Sequence, residues 1–480
     1  MLVKIIVLGL YALMILVIGV ISFRKTKSVN DFLLGGGNVG PWMSAFSYGT
    51  AYFSAVLFIG FAGKIGWDFG LSGLWVAFFN AMVGVLAVWL IMGWRVKKVS
   101  VEMGVQTMSE FLEKRYGSKL FKLLASIVIF IFMVPYSAAV FMGLSYLFTV
   151  SFGIDYGWAL VFMGSFTAIY IVLGGYKSMA LIDMLFGIIM VIGVIILMVF
   201  TVKAGGGFGN ISDGLNAVNP GLTEIIGPPG WWPLFCLVFL TSVAPFAMPQ
   251  LVQKFYAVKD KRTVKIGAVA STFFAVLIGG VAYYVGSTNR IFMSPETTPQ
   301  VFQDGKPVFD RLMPEMLTSV IPPSLAVIIL LLILAASMST LASLVLISSS
   351  SFTKDFWAGF VNRKMSDRSQ TTMMRFMSAF FVLLAVLLAY MNIDSIVAIL
   401  GISWGALGSF FLGPFLWGLF LKRYNRIGAL ISGIASLAVC LILYFTGMPS
   451  PQAGTIGMLV SFVSTPLFSL FCKTKFSPQG

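Results

Sequence analysis

The sequence predicts an all-α integral membrane protein with about thirteen transmembrane helices. Of its 480 residues, 59% are hydrophobic and only 10% are charged, which leaves too little polar surface to dissolve a chain of this length. The apolar residues gather in runs of about 20, the length a helix needs to cross a bilayer core of about 30 Å. A closed barrel would instead need alternating segments of about ten residues, and the runs do not alternate.

Taken in order, the runs place spans near residues 3–23, 41–63, 73–94, 121–149, 157–175, 179–202, 231–253, 266–286, 323–351, 372–391, 395–421, 428–446 and 453–472. The first lacks a small-residue cleavage site and reads as a retained helix rather than a signal peptide. The longest connection on the face opposite most basic residues, 287–322, is too small to fold alone and reads as a connector or partial lid. Residues 1–480 are therefore expected to form one transmembrane domain.

Several chemistries are excluded by composition. Histidine is absent, which removes imidazole zinc sites, histidine-dependent triads and histidine proton relays. Cys236, Cys440 and Cys472 are far apart in apolar runs and read as helix-packing residues, not as a disulfide framework or metal motif. With no paired carboxylates inside the spans either, the chain does not read as an enzyme. The segment Gly35–Gly40, GGGNVG, matches a dinucleotide fingerprint but opens a span without any βαβ pattern, so it reads as a flexible helix entry.

The net charge of +15 would suit a nucleic-acid partner if the basic residues clustered in one domain. They scatter between apolar runs instead. With the amino terminus placed outside, 26 of the 32 Lys and Arg fall on one face and 6 on the other, Lys4, Lys64, Lys203, Arg290, Lys306 and Arg311. The positive-inside bias makes the first face cytoplasmic, in a plasma membrane with the carboxyl terminus inside. The expected large partner is the lipid bilayer, not nucleic acid.

Two spans are interrupted by polar or helix-breaking residues. In the second, SYGTAYFSA at Ser47–Ala55 gathers Gly49, Thr50, Tyr52 and Ser54 halfway along an apolar run. In the seventh, TSVAPFAMPQ sets Pro245 and Pro249 four residues apart, and each proline removes a backbone donor and crowds the preceding turn. Freed backbone groups in lipid must find protein, water or ligand partners, so such breaks are where sites form. The breaks begin two five-span blocks, 41–202 and 231–421, as an inverted repeat requires. The helix at 3–23 precedes these blocks and two helices within 428–472 follow.

Two further features join them. Asp183 is the acid placed within a span, where a central carboxylate costs about 2.5–3.5 kcal/mol and needs a cation, a proton or hydroxyl partners. Lys177, six residues away, is a weaker partner because it can snorkel to water. In the ninth span, AASMSTLAS at Ala335–Ser343 sets Ala336 and Thr340, and Ser339 and Ser343, four apart on neighbouring strips of one helix side. Neutral carbonyl and hydroxyl oxygens of this kind suit sodium, although such hydroxyls also bond back to their own helix.

In order and spacing, LGGGNVGPWMSAFSYGTAYFSA, LGGYKSMALIDM, MPQLVQKFYAVKDKR and LAASMSTLASLVLISSSSFTKDFW resemble the sodium:solute symporter family, over most of the chain. The resemblance implies a LeuT-like fold with one extra helix before the inverted repeat and two after it. It implies a sodium site made by backbone oxygens of Thr50, Phe53 and Ala336 and the hydroxyls of Ser339 and Thr340. Asp183 matches an acidic position that helps some members hold a second sodium. Ser343 is one of two further hydroxyls those members use, and Ala342 stands in place of the other, so one sodium is expected.

The implied activity is sodium-coupled symport of a small organic solute into the cell by alternating access, with sodium as coupling ion and no organic cofactor. Tyr48, Tyr52, Ser54, Tyr136, Ser242, Gln250 and Trp404 are expected to face the solute, an aromatic set without fixed charge. The run Tyr52-Phe53-Ser54-Ala55 is similar to pantothenate carriers, and a small carboxylate such as a pantothenate-like compound or a monocarboxylate fits this set. Tyr52 stands where proline carriers have an acid. The alternatives are a proton-coupled carrier in which Asp183 titrates, and an amino-acid or sugar cargo.

Overall fold

The computed structural model describes residues 2–25, 28–421 and 425–471, and they are helical almost throughout. Their one hairpin, Phe302–Gln303 against Lys306–Pro307, lies in the connector expected at 287–322. Cys472 and the basic residues Lys27, Lys422, Arg423, Lys473 and Lys475 lie outside the described residues.

Among the described residues ten helices are long and apolar enough to cross a bilayer. The count differs from thirteen for local reasons, since among the described residues each expected run falls mainly on helical backbone. The second run stops after Pro41–Tyr52, and its continuation is joined to the third run in one stretch, Val56–Met103. That stretch turns at Gly70, whose φ of +57° and ψ of −135° no helix contains. The fifth run forms a shorter helix, Tyr156–Val172, and the last, Ser450–Phe471, is not among the ten.

The helices Ala326–Ser350 and Ile396–Phe420 are buried along nearly their whole length and form the centre. Lys119–Phe152 packs on both, Pro41–Tyr52 and Tyr176–Ala204 pack on the first and Ser450–Phe471 on the second, while Lys261–Ser287 lies against Pro41–Tyr52 and Tyr176–Ala204. Leu2–Lys25 lies at the periphery, turning Ile5, Leu10 and Leu13 outward as lipid-facing residues do. Where backbones nearly touch, only hydrogen fits. A Cβ on Gly66 would strike the Gly286 backbone, and one on Gly405 would lie 2.6 Å from the Gly454 Cα. Cys236 and Cys440 are buried and free, as packing residues.

One element of the charge pattern needs correction. Lys254, grouped with the loop cations that follow it, is only 2% exposed and lies within the helix Pro249–Ala257. Its neighbours Leu251, Val252 and Phe255 are buried with it.

Candidate functional site

The helix Pro41–Tyr52 ends because Phe53 turns to extended backbone, φ −110° and ψ 118°. In an unbroken helix the Ala51 carbonyl would accept from the Ala55 amide four residues on. That amide instead donates to Ser337 Oγ at 3.0 Å. Thr340 fills the gap, its hydroxyl lying 3.3 Å from the carbonyl oxygens of both Thr50 and Ala51 and 3.1 Å from that of Ala336. Ser339 Oγ donates to Thr50 Oγ1 at 2.8 Å.

Four of the five residues expected around sodium, Thr50, Ala336, Ser339 and Thr340, are thus brought together, fully buried, while Phe53 occupies the break itself. The group is a set of carbonyl and hydroxyl oxygens without a charged member, which suits a hard monovalent cation. Sequence reasoning missed the Ala51 carbonyl, the Thr50 hydroxyl and Ser337. Ser337 sits in the same AASMSTLAS run, so its signal was present but not separable from ordinary helix packing.

Asp183 finds a partner other than Lys177, which is exposed. Its Oδ2 accepts the Ser47 hydroxyl at 2.6 Å and lies 3.8 Å from the Lys254 ammonium. Lys254 donates to Ser47 Oγ and Ser343 Oγ, both at 2.9 Å, and stands 5.1 Å from the centre of the Tyr176 ring. Ser343 in turn donates to the Ser339 carbonyl at 3.2 Å, which connects this cluster to the oxygens at the break.

The other broken helix is interrupted where the prolines predict. Trp231–Val243 passes through a tight turn at Ala244–Phe246, and helix resumes at Pro249. Between the two breaks lies a small cavity of about 30 Å³, lined by Tyr52, Ser54, Asn80, Tyr136, Thr241 and Trp404 among others. Of the seven residues expected to face solute, Tyr52, Ser54, Tyr136 and Trp404 line it. Tyr48 does not, because its ring packs on Trp89 and Phe255 and its hydroxyl donates to the Gly84 carbonyl at 3.0 Å. Ser242 turns to Asn80 Oδ1 at 2.9 Å, and Gln250 is buried outside the lining with neither side-chain polar atom hydrogen-bonded. Tyr52 donates to the Thr241 carbonyl at 2.6 Å, linking one broken helix to the other.

The two ends of the molecule differ. At the end opposite the basic residues, a cavity of about 790 Å³ opens between Lys64, Asp68, Asp394 and Gln452. The basic end is closed by pairing between the two broken helices. Val39 and Val258 form a parallel bridge, with the Val39 amide donating to Ala257 at 3.0 Å and the Lys259 amide to Val39 at 3.1 Å. Lys97 donates to the Gly37 and Tyr256 carbonyls, each at 3.0 Å. Beside it Lys354 pairs with Glu110 at 2.8 Å and donates to Gln106 Oε1 at 2.7 Å. Burial opposes ionisation of Glu110, but Lys354 prevails and holds its carboxyl below the usual range.

An apolar helical bundle in which two broken helices meet around neutral oxygens and a small cavity is a multi-pass membrane transporter. The chain belongs to the sodium:solute symporter family, whose model matches residues 32–436. It is 28% identical to the osmoregulated proline transporter OpuE of Bacillus subtilis over 96% of this chain and 92% of that one. It is 29% identical to the high-affinity proline transporter PutP of the same organism, over 90% of each. Its fold is shared with a Na+-coupled sialic acid symporter solved in a substrate-bound outward-open state, with a TM-score of 0.82, 19% identity and 99% of both chains covered.

Proposed function

We propose that the protein imports a small carboxylate-bearing solute together with one sodium ion, by alternating access. The observation that carries this is the meeting of Thr50 and Ala51 with Ala336, Ser339 and Thr340 at a helix break whose neighbours Tyr52 and Ser54 line the small cavity. Ion and solute then favour the same arrangement of one element, which is what coupling requires. A membrane potential adds about 2.3 kcal/mol per net charge per 100 mV, so it drives one sodium carried with a zwitterion such as proline, whereas a monocarboxylate with one sodium is a neutral pair driven by the sodium gradient alone.

No charged side chain lines the cavity, so a carboxylate there would rely on hydroxyls and on the positive end of the half-helix beginning at Pro249. Pantothenate and monocarboxylates answer to this description. So does proline, which the names of the relatives add to the candidates. The amino terminus is placed outside, the basic end inside, and the blocks 41–202 and 231–421 act as inverted repeats. The open vestibule then faces outward.

The test is uptake into proteoliposomes driven by an inward sodium gradient at equal pH on both sides, offering labelled proline, pantothenate, lactate, glucose and sialic acid. Sodium-driven uptake of one of the first three is expected. Uptake that ignores sodium and follows a pH gradient would replace this reading with proton coupling through Asp183, and uptake of glucose alone would overturn the carboxylate.

A further inference from the structure

Lys254 is a buried ammonium beside the break, with Asp183 as the carboxylate paired to it and Ser47 and Ser343 as its hydrogen-bond acceptors. Those three groups are hard oxygens, and Asp183 and Ser343 are the pair expected to hold any second sodium. The Lys254 Nζ already stands among them, 2.9 Å from both hydroxyls. One carboxylate neutralises one cation. A sodium ion placed on the same oxygens would be driven off by the adjacent ammonium, because like charges at contact distance in a poorly screened interior repel strongly. The residues therefore do not fit a second sodium while Lys254 is present.

We propose that the Lys254 ammonium is a tethered cation that takes the place of a second coupling ion and fixes the carrier at one sodium per cycle. It supplies the charge that Asp183 needs without an ion having to bind and leave. It also ties three helices together, since Ser47 precedes the break by two turns, Ser343 follows Ser339 on the facing helix, and Asp183 belongs to Tyr176–Ala204. The Ser343 bond to the Ser339 carbonyl carries its position to the sodium oxygens. This inference rests on the sodium site proposed above.

The test counts sodium ions bound to the purified full-length carrier by titration calorimetry, with choline chloride holding ionic strength constant. The native chain should bind one ion. Lys254→Ala, which removes the ammonium and leaves Ser47, Ser343 and Asp183 around the space, should bind two, and adding Asp183→Asn should return the count to one. Lys254→Arg keeps the charge and should bind one. Two ions on the native chain, or one on a folded Lys254→Ala, would overturn the tethered cation and leave the sodium site standing. No sodium bound to the native chain would overturn both. Should Lys254→Ala fail to fold, the native count and that of Lys254→Arg still decide, because two ions on either refute the substitution of ammonium for ion.

Discussion

Ser339 donates its hydroxyl to the hydroxyl of Thr50 at 2.8 Å, from the centre of one buried helix to the last turn of a broken one. The contact joins two helices through atoms of the kind that ligate sodium, so an ion held at the proposed site would be linked to helix position. Replacing Ser339 and Thr340 together by alanine removes two hydroxyls from the group. The sodium concentration for half-maximal uptake should rise at least about tenfold, equivalent to about 1.4 kcal/mol. Size-exclusion profiles should stay those of the folded carrier, and an unchanged sodium requirement would refute the site.

Tyr52 spends its hydroxyl on the Thr241 carbonyl and presents its ring to the cavity. Tyr52→Phe keeps the ring and releases the link, a loss of about 0.5–1.5 kcal/mol. The half-saturation constant for solute should change severalfold while that for sodium moves less than about twofold by the same scale. A larger effect on sodium than on solute, measured in the same uptake assay, would place Tyr52 with the ion instead.

Asp310 lies in the helix Phe309–Val320, outside the crossing helices, where burial pushes its carboxyl up from 3.8 to about 7. The Ile396 amide, donating at 3.0 Å, and Lys64 pull it down, and Asp394 adds to the rise. The folded protein thus keeps a proton that the unfolded chain gives up near 3.8, so stability falls as pH rises between that value and about 7 and loses nothing further above it. Asp310→Asn retains an oxygen for the Ile396 amide and removes the titration. Melting temperatures of the purified carrier across this range should lose part of their downward slope in the variant, and a slope identical to the native one would refute the assignment.

Gly66 faces the Gly286 backbone so closely that a methyl group has no room. Because the obstacle is backbone, side-chain repacking cannot relieve it, and Gly66→Ala should cost at least about 1–3 kcal/mol by overpacking. A marked fall in thermal stability or yield is expected. Gly280→Ala, where a Cβ meets nothing within 4 Å, is the matched control and should behave as the native protein does.

Much of this was legible in the sequence because lipid imposes simple rules. Apolar runs marked the helices, Pro245 and Pro249 marked one break, and the small polar residues before Phe53 marked the other. The hydroxyls at Ser339 and Thr340 could be placed because helical spacing puts them on one side. Lys254 was hidden by its position, shortly before the exposed cations Lys259, Lys261 and Arg262, where linear order cannot distinguish a buried charge from a solvated one. Asn80 and Thr241 were hidden for a related reason. Asn80 is a single polar residue in an apolar run and Thr241 stands beside Ser242, which drew the expectation instead; only the packing of helices distant in sequence turns Asn80 and Thr241 toward the same cavity.

The bridge between Val39 and Val258 has a consequence for leakage. In the proposed orientation cargo would leave at the basic end, and parting the Pro41 and Pro249 half-helices there must break both backbone bonds of the bridge and at least one of the two made by Lys97. Bonds that close one pair of facing segments give way together, so partial widening gains little. An exit at this end would then behave as a threshold rather than a valve, and stray sodium would find no intermediate opening wide enough to slip through without its passenger.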